Sequence, residues 1–259
     1  TLDGKRYSGL KQINRKNVKK LKLAFTAPIG GHTPGGAWWT YAGLEGTPVV
    51  EDGFMYITEG WGSVVKLDVR NNGKLVWKMN PDTDQDYAGN ISCCGINNRG
   101  AVLFNDKVIS HTIDGRLIMT NKESGEIEYE AQIADLSIGE SITAAPLVVK
   151  NMALTGIAGG EYGIRGYVNA TDLTSGERLW RTYTIPAPGE PGSETWPTPS
   201  FRCRPYRRSW FASSVTGRSH VSRSLTRGRS FDGRSTRGPP APGPALHPGG
   251  HLAVVLSQA

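Results

Sequence analysis

Two cysteines stand side by side, Cys93 and Cys94, in a chain of 259 residues that holds only 3 in all. Consecutive Cα atoms lie about 3.8 Å apart across a trans peptide, closer than the roughly 4.4–6.8 Å usual for a disulfide. A bond between neighbours therefore closes a small strained ring, and such strain persists where the surroundings enforce it, often at a functional site. The alternative is a pair of free buried thiols. Three cysteines cannot build a disulfide scaffold, and without a second Cys pair a structural zinc framework is excluded. There is also no Cys-x-x-Cys-His run for haem attachment.

The elements that must position this pair repeat along the chain. Three segments follow one pattern: an apolar run, a short polar turn ending in Gly, and an aromatic four residues later. They are Val64–Asp68 with Gly73 and Trp77, Arg116–Asn121 with Gly125 and Tyr129, and Tyr167–Asp172 with Gly176 and Trp180. The glycines are 52 and 51 residues apart. Each unit follows a strand pair of apolar–turn–apolar form, at Pro48–Ile57, Val102–Ile109 and Pro146–Leu154, with polar turns such as Glu51-Asp52-Gly53 that close hairpins. Short strands at a period of roughly 40 to 50 residues mark four-stranded propeller blades. The expected fold is all-β, a partial β-propeller of about three to four blades. The Gly supplies a positive φ and the aromatic docks between blades or simply packs in the core.

Composition divides the chain near Pro197. Residues 1–197 carry 20 basic and 22 acidic side chains, whereas residues 198–259 carry 10 Arg, no Lys and a single acid, Asp232. The net +7 thus belongs wholly to the tail. Two domains are expected: a partial propeller over 1–197 and an irregular Arg/Pro/Gly/Ser-rich tail over 198–259, disordered or translated out of frame. The tail has no sustained period before the apolar run Leu252 to Leu256. A basic arm of this kind could contact nucleic acid or anionic lipid; the absence of Lys, Asn and Ile instead fits GC-rich DNA read in the wrong frame. No stretch nears the roughly 18–20 apolar residues of a transmembrane helix. The first residues, Thr1-Leu2-Asp3-Gly4, show neither an initiator Met nor a signal core, so a leader is gone or the sequence starts inside a longer protein.

The motifs in order resemble the pyrroloquinoline quinone (PQQ)-dependent alcohol dehydrogenases, the methanol and ethanol dehydrogenase-like quinoproteins. They are Leu2-Asp3-Gly4-Lys5-Arg6-Tyr7-Ser8, Gly43-Leu44-Glu45-Gly46-Thr47-Pro48, Cys93-Cys94-Gly95-Ile96-Asn97-Asn98-Arg99-Gly100, Thr143-Ala144-Ala145-Pro146 and Gly156-Ile157-Ala158-Gly159-Gly160-Glu161. The resemblance covers residues 1–197 and implies an eight-bladed quinoprotein propeller. It also implies that Cys93 and Cys94 form a disulfide ring against one face of PQQ, and that Arg99 bonds the quinone oxygens, where a fixed cation suits the negative charge of reduction. Glu45 and Thr143 match cofactor-contacting positions. Ala158, Gly159 and Gly160 match the loop whose backbone nears the PQQ carboxylates, and Glu161 the acidic metal ligand, for Ca2+ or a lanthanide. Read alone, Arg99 also fits a solvated turn and Glu161 an exposed loop acid.

By the same resemblance the function is oxidation of a primary alcohol to an aldehyde in the periplasm, with electrons passed to cytochrome c and no specific nucleic-acid partner. Where Ala158 stands the family commonly has a polar residue, so one hydrogen bond worth on the order of 1 kcal/mol is missing. The family's stacking tryptophan, asparagine metal ligand and catalytic aspartate are not recognisable after Pro197. No catalytic residue is assigned, and the chain as written is expected to be an inactive fragment. The alternative is a non-catalytic propeller module with the basic tail as its contact arm.

Overall fold

The computed structural model describes residues 9, 11–31, 44–84, 95–195 and 250–258. Cys93, Cys94, the Leu2–Ser8 segment and, of the expected tail, residues 198–249 and 259 lie outside the described residues. Among the described residues regular structure is strand, interrupted only by three-residue 3-10 turns.

Three four-stranded antiparallel sheets follow one another along the chain, each with its strands in sequence order. The first blade holds β2 (Val49–Glu51), β3 (Phe54–Thr58), β4 (Val64–Asp68) and β5 (Lys74–Met79). The second holds β6 (Val102–Phe104), β7 (Lys107–His111), β8 (Arg116–Asn121) and β9 (Ile127–Gln132). The third holds β10 (Leu147–Val149), β11 (Met152–Gly156), β12 (Tyr167–Asp172) and β13 (Arg178–Tyr183). Each expected strand pair and each apolar run is therefore a strand. Glu51 pairs with Phe54 across a two-residue loop, and Asp52 at φ 50° with Gly53 at φ 80° give the primed turn that matches strand twist.

A fourth, two-stranded sheet is made by β1 (Leu21–Gly31) and β14 (Gly250–Gln258), antiparallel. Among the described residues of the tail, Gly250–Gln258 form a strand that includes the apolar run from Leu252 to Leu256 and pairs with the edge of β1. β1 packs on the first blade: Ala27 and Ile29 are buried with Ile57, Val65 and Leu67.

The core lies in layers between blades. Tyr56, Val64 and Met79 of the first meet Val108 and Ile118 of the second. Ile109, Leu117 and Met119 of the second meet Ala153 and Leu173 of the third, with Ile142 from the lead-in to the third blade. The repeated Gly and aromatic work across this gap. A Cβ on Gly125 would stand 2.7 Å from the Trp77 indole of the preceding blade, and Gly73 and Gly176 face Phe25 and Tyr129 in the same way. Each blade also breaks register at one place, Lys66/Leu67, Met119/Thr120 and Ala170/Thr171, opposite the residue just before the aromatic. This bulge bends the outer strand where its aromatic must reach the neighbour.

Candidate functional site

The segments leading into the three inner strands lie side by side and bond to one another. Thr47, before β2, donates its N–H to the Arg99 carbonyl at 3.3 Å, and Arg99, before β6, donates its N–H to the Thr143 carbonyl, before β10, at 3.1 Å. An isolated parallel bridge joins Thr47 and Gly100. Equivalent points of three blades are thereby stitched together.

Three of the expected site residues meet on this seam, one from each blade. Arg99 Nη2 lies 3.2 Å from Glu45 Oε2. Arg99 Nη1 donates to Thr143 Oγ1 at 2.7 Å. The Arg99 side chain is 48% exposed and that of Glu45 41%, so a ligand can reach both. At that exposure the ion pair adds about 0–1 kcal/mol to stability. Its consequence is geometric, because it fixes the plane of a guanidinium fork beside an open surface.

The backbone around Arg99 is held from below. Asn98 is buried; its Oδ1 accepts from the Gly100 N–H at 2.9 Å and its Nδ2 donates to the His111 carbonyl at 2.7 Å. Gly100 sits at φ 129°, a conformation that favours glycine. The His111 ring is buried between blades, with Nδ1 2.9 Å from the Ala144 carbonyl and Nε2 2.9 Å from Thr155 Oγ1. Burial drives its pKa down to about 4 against the opposing pull of the Ala144 carbonyl, so the ring is neutral at ordinary pH. Asn98, His111 and Thr155 were not among the expected site residues. Their sequence signal is faint: Asn98 sits in the run before Arg99, and His111 shares the alternation of Ile109 on β7.

The small-residue loop is tied to the same seam. Ser141 and Ala158 exchange backbone hydrogen bonds of 3.0 and 2.8 Å, two residues before Thr143. Gly159 is at φ 127°, and a Cβ there would collide with the Gly139 carbonyl oxygen, whereas a Cβ on Gly160 would meet nothing within 4 Å. Gly160, Glu161 and Tyr162 form a 3-10 turn, which places the Glu161 backbone beside this loop. Among the described residues no group of three or more His, Cys, Asp and Glu side chains gathers to hold a metal ion, and no helix is long and apolar enough to cross a membrane. Glu45, Arg99 and Thr143 are thus brought together, with Ala158 and Gly159 joined to them through Ser141.

Successive four-stranded antiparallel blades packed face to face define a class of protein, the β-propeller, of which the described residues form three blades. The chain belongs to the glucose/ethanol/alcohol dehydrogenase β-propeller family of PQQ proteins, whose family model matches residues 1–215. It is 39% identical over 186 residues to the quinohemoprotein alcohol dehydrogenase ADH IIB of Pseudomonas putida, covering 72% of this chain and 25% of that protein. It is 34% identical over 212 residues to the lanthanide-dependent methanol dehydrogenase of Methylacidiphilum fumariolicum, covering 74% of this chain and 33% of that one. Among solved structures, a europium-containing methanol dehydrogenase superposes with a TM-score of 0.62 at 36% identity, over 70% of this chain and 30% of the other. The chain therefore spans about a quarter to a third of the length of these relatives.

Proposed function

We propose that this chain supplies one side of a PQQ and metal site in an alcohol dehydrogenase that oxidises a primary alcohol to the aldehyde in the periplasm and passes electrons to cytochrome c. The observation that carries the reading is the convergence of Glu45, Arg99 and Thr143 from three blades at an open surface. The donor set suits a planar, oxygen-rich, anionic ligand. When bound, PQQ acts as the two-electron acceptor for the alcohol. Arg99 holds a permanent positive charge and a rigid fork of N–H donors at the place where ligand oxygens gain charge. Glu45 keeps that fork from swinging. Thr143 Oγ1 accepts from Arg99, which leaves its own proton to be donated to the ligand.

Ala158 and Gly159 present backbone with little side chain in the way, as approach to carboxylates requires. Glu161 would hold a hard cation, calcium or a lanthanide, through its carboxylate. Cys93 and Cys94, which lie outside the described residues, would contribute to the same site as a disulfide. The base that takes the alcohol proton is assigned to no residue of this chain.

The test is a titration of the full 259-residue chain with PQQ, read by tryptophan fluorescence, with calcium, with lanthanum and with a chelator. Arg99→Ala is expected to weaken binding about tenfold or more, as loss of a charged hydrogen-bond donor does. Glu161→Ala is expected to remove the metal dependence. Equal affinity in wild type and Arg99→Ala overturns the reading.

A further inference from the structure

The His111 ring lies beneath the seam yet touches neither Glu45 nor Arg99 in any hydrogen bond of the described site. It joins the two residues that flank the seam's central pair. Its Nδ1 meets the carbonyl of Ala144, next to Thr143, at 2.9 Å, and its own carbonyl takes the Asn98 Nδ2 at 2.7 Å, next to Arg99. A carbonyl can only accept, so Nδ1 carries the proton, and Nε2 accepts from the Thr155 hydroxyl at 2.9 Å. Both ring nitrogens are therefore used, and each faces an element of the third blade while the ring belongs to the second. His111 and Thr155 are 1% and 0% exposed. An apolar side chain would fill the same layer, since Ile109 and Leu117 line it. A buried imidazole held at both nitrogens is a costly choice for packing alone, but it fixes a rotation as well as a distance.

We propose that His111 is a positioning residue for the cofactor site: its neutral Nδ1–H tautomer, set by the Ala144 carbonyl and completed by the Thr155 hydroxyl at Nε2, clamps Ala144 and so holds Thr143 against Arg99. The proposal rests on the reading of Arg99 and Thr143 as cofactor contacts. The ring acts through Ala144 and the main chain through Asn98. Substituting the side chain removes the first contact and leaves the second.

The contact that should respond is the Arg99 N–H to the Thr143 carbonyl, which needs no ligand to be measured. Hydrogen exchange is followed residue by residue on the full chain in wild type, His111→Leu, His111→Asn and Thr155→Val. In His111→Leu the Arg99 amide is expected to exchange about tenfold faster, the scale set by one buried carbonyl left without its donor, while β3, β4 and β12 amides keep their rates. Asn places Nδ2 where His places Nδ1, so His111→Asn is expected to restore Arg99 protection. Thr155→Val keeps the shape, removes the hydroxyl that holds Nε2 and with it the ring's orientation, and gives a smaller rise at Arg99 even if His111→Leu does not fold. Unchanged Arg99 exchange in both His111→Leu and Thr155→Val overturns the proposal, and so does an equal rise across the second and third blades, which marks a packing role only. Titration with PQQ separates the two readings. Weaker binding in His111→Leu, restored in His111→Asn, supports the proposal, and unaltered binding in a variant whose Arg99 is deprotected overturns it. If instead Arg99→Ala binds PQQ as wild type does, the site reading fails while the exchange result still decides what His111 holds.

Discussion

Trp77 of the first blade occupies the space that a side chain on Gly125 of the second would need, and its Nε1 donates to the carbonyl of Lys122 in the same turn at 3.1 Å. One indole thus seals the gap between two sheets by shape and by a hydrogen bond. Lys66 ends in the same turn, donating to the Lys122 carbonyl at 2.6 Å while its ammonium lies 4.3 Å from the Phe54 ring centre. The dock is polar at its tip and apolar along its length, as the amphipathic Trp and Lys side chains allow.

Gly125→Ala should destabilise the chain strongly. The new methyl would stand 2.7 Å from the indole on a backbone held at φ +78°. Overpacking and backbone strain together cost about 2–4 kcal/mol, read as a fall in the urea midpoint. Trp77→Ala should cost less in the Gly125→Ala background than in wild type, because the clash goes with the ring. Equal midpoints for wild type and Gly125→Ala would contradict the dock.

The same reasoning distinguishes two adjacent glycines of the cofactor loop. Gly159→Ala drives a Cβ into the Gly139 carbonyl at φ +127° and should both lower stability and break the Ser141–Ala158 pairing. Gly160→Ala meets open space and should leave the unfolding free energy from urea titration within about 0.5 kcal/mol of wild type. If PQQ backs onto that open space, Gly160→Ala should still weaken PQQ binding. A variant that unfolds like Gly159→Ala would mean the two positions are constrained alike.

Ala158→Ser tests the departure from the family pattern. Ala158 is only half buried and its backbone is already paired to Ser141, so a hydroxyl can be added without moving the chain. One hydrogen bond to the cofactor is worth about 1 kcal/mol, or roughly fivefold in affinity. The expected outcome is tighter PQQ binding at unchanged stability. Equal or weaker binding would mean that the Ala158 side chain does not face the ligand.

The strands were legible because their signal is local. Val64–Asp68, Arg116–Asn121 and Tyr167–Asp172 are short apolar runs that end in a polar turn, and each is a strand in the structure with the same ends. The spacing of Gly125 and Gly176 also marked the dock. What the sequence did not show is which blade's aromatic meets which glycine, since that is a contact across some fifty residues. The bulge beside each aromatic was hidden too: it adds one unpaired residue to an outer strand without altering the period of the inner ones. At the site, Glu45, Arg99 and Thr143 carried family motifs, so their convergence was expected. His111 and Thr155 sit in ordinary strand positions, and only the packing of β7 against β11 makes a buried network of them. The strand at 250–258 was legible only as an apolar run, because nothing local names β1 as its partner.

The pH dependence of stability follows from the same histidine. Its pKa falls from 6.5 to about 4 on folding, chiefly through burial. The unfolded chain then binds more protons than the folded one between those values, and stability rises with pH across that window. Above about 6.5 the contribution is complete; as pH falls toward 4 it is lost, with a limit of about 3 kcal/mol. The carboxylates Asp68, Glu128 and Asp172, held below the ordinary carboxylate range by hydrogen bonds, lose stability with acid as well, but at lower pH. The difference between wild type and His111→Asn isolates the imidazole. Urea midpoints measured from pH 8 to pH 4 should fall more steeply in wild type below about pH 6.5, and the two curves should run parallel above pH 7. Parallel curves throughout would show that His111 keeps an ordinary pKa in the fold, and with it access to water that a buried staple between blades cannot have.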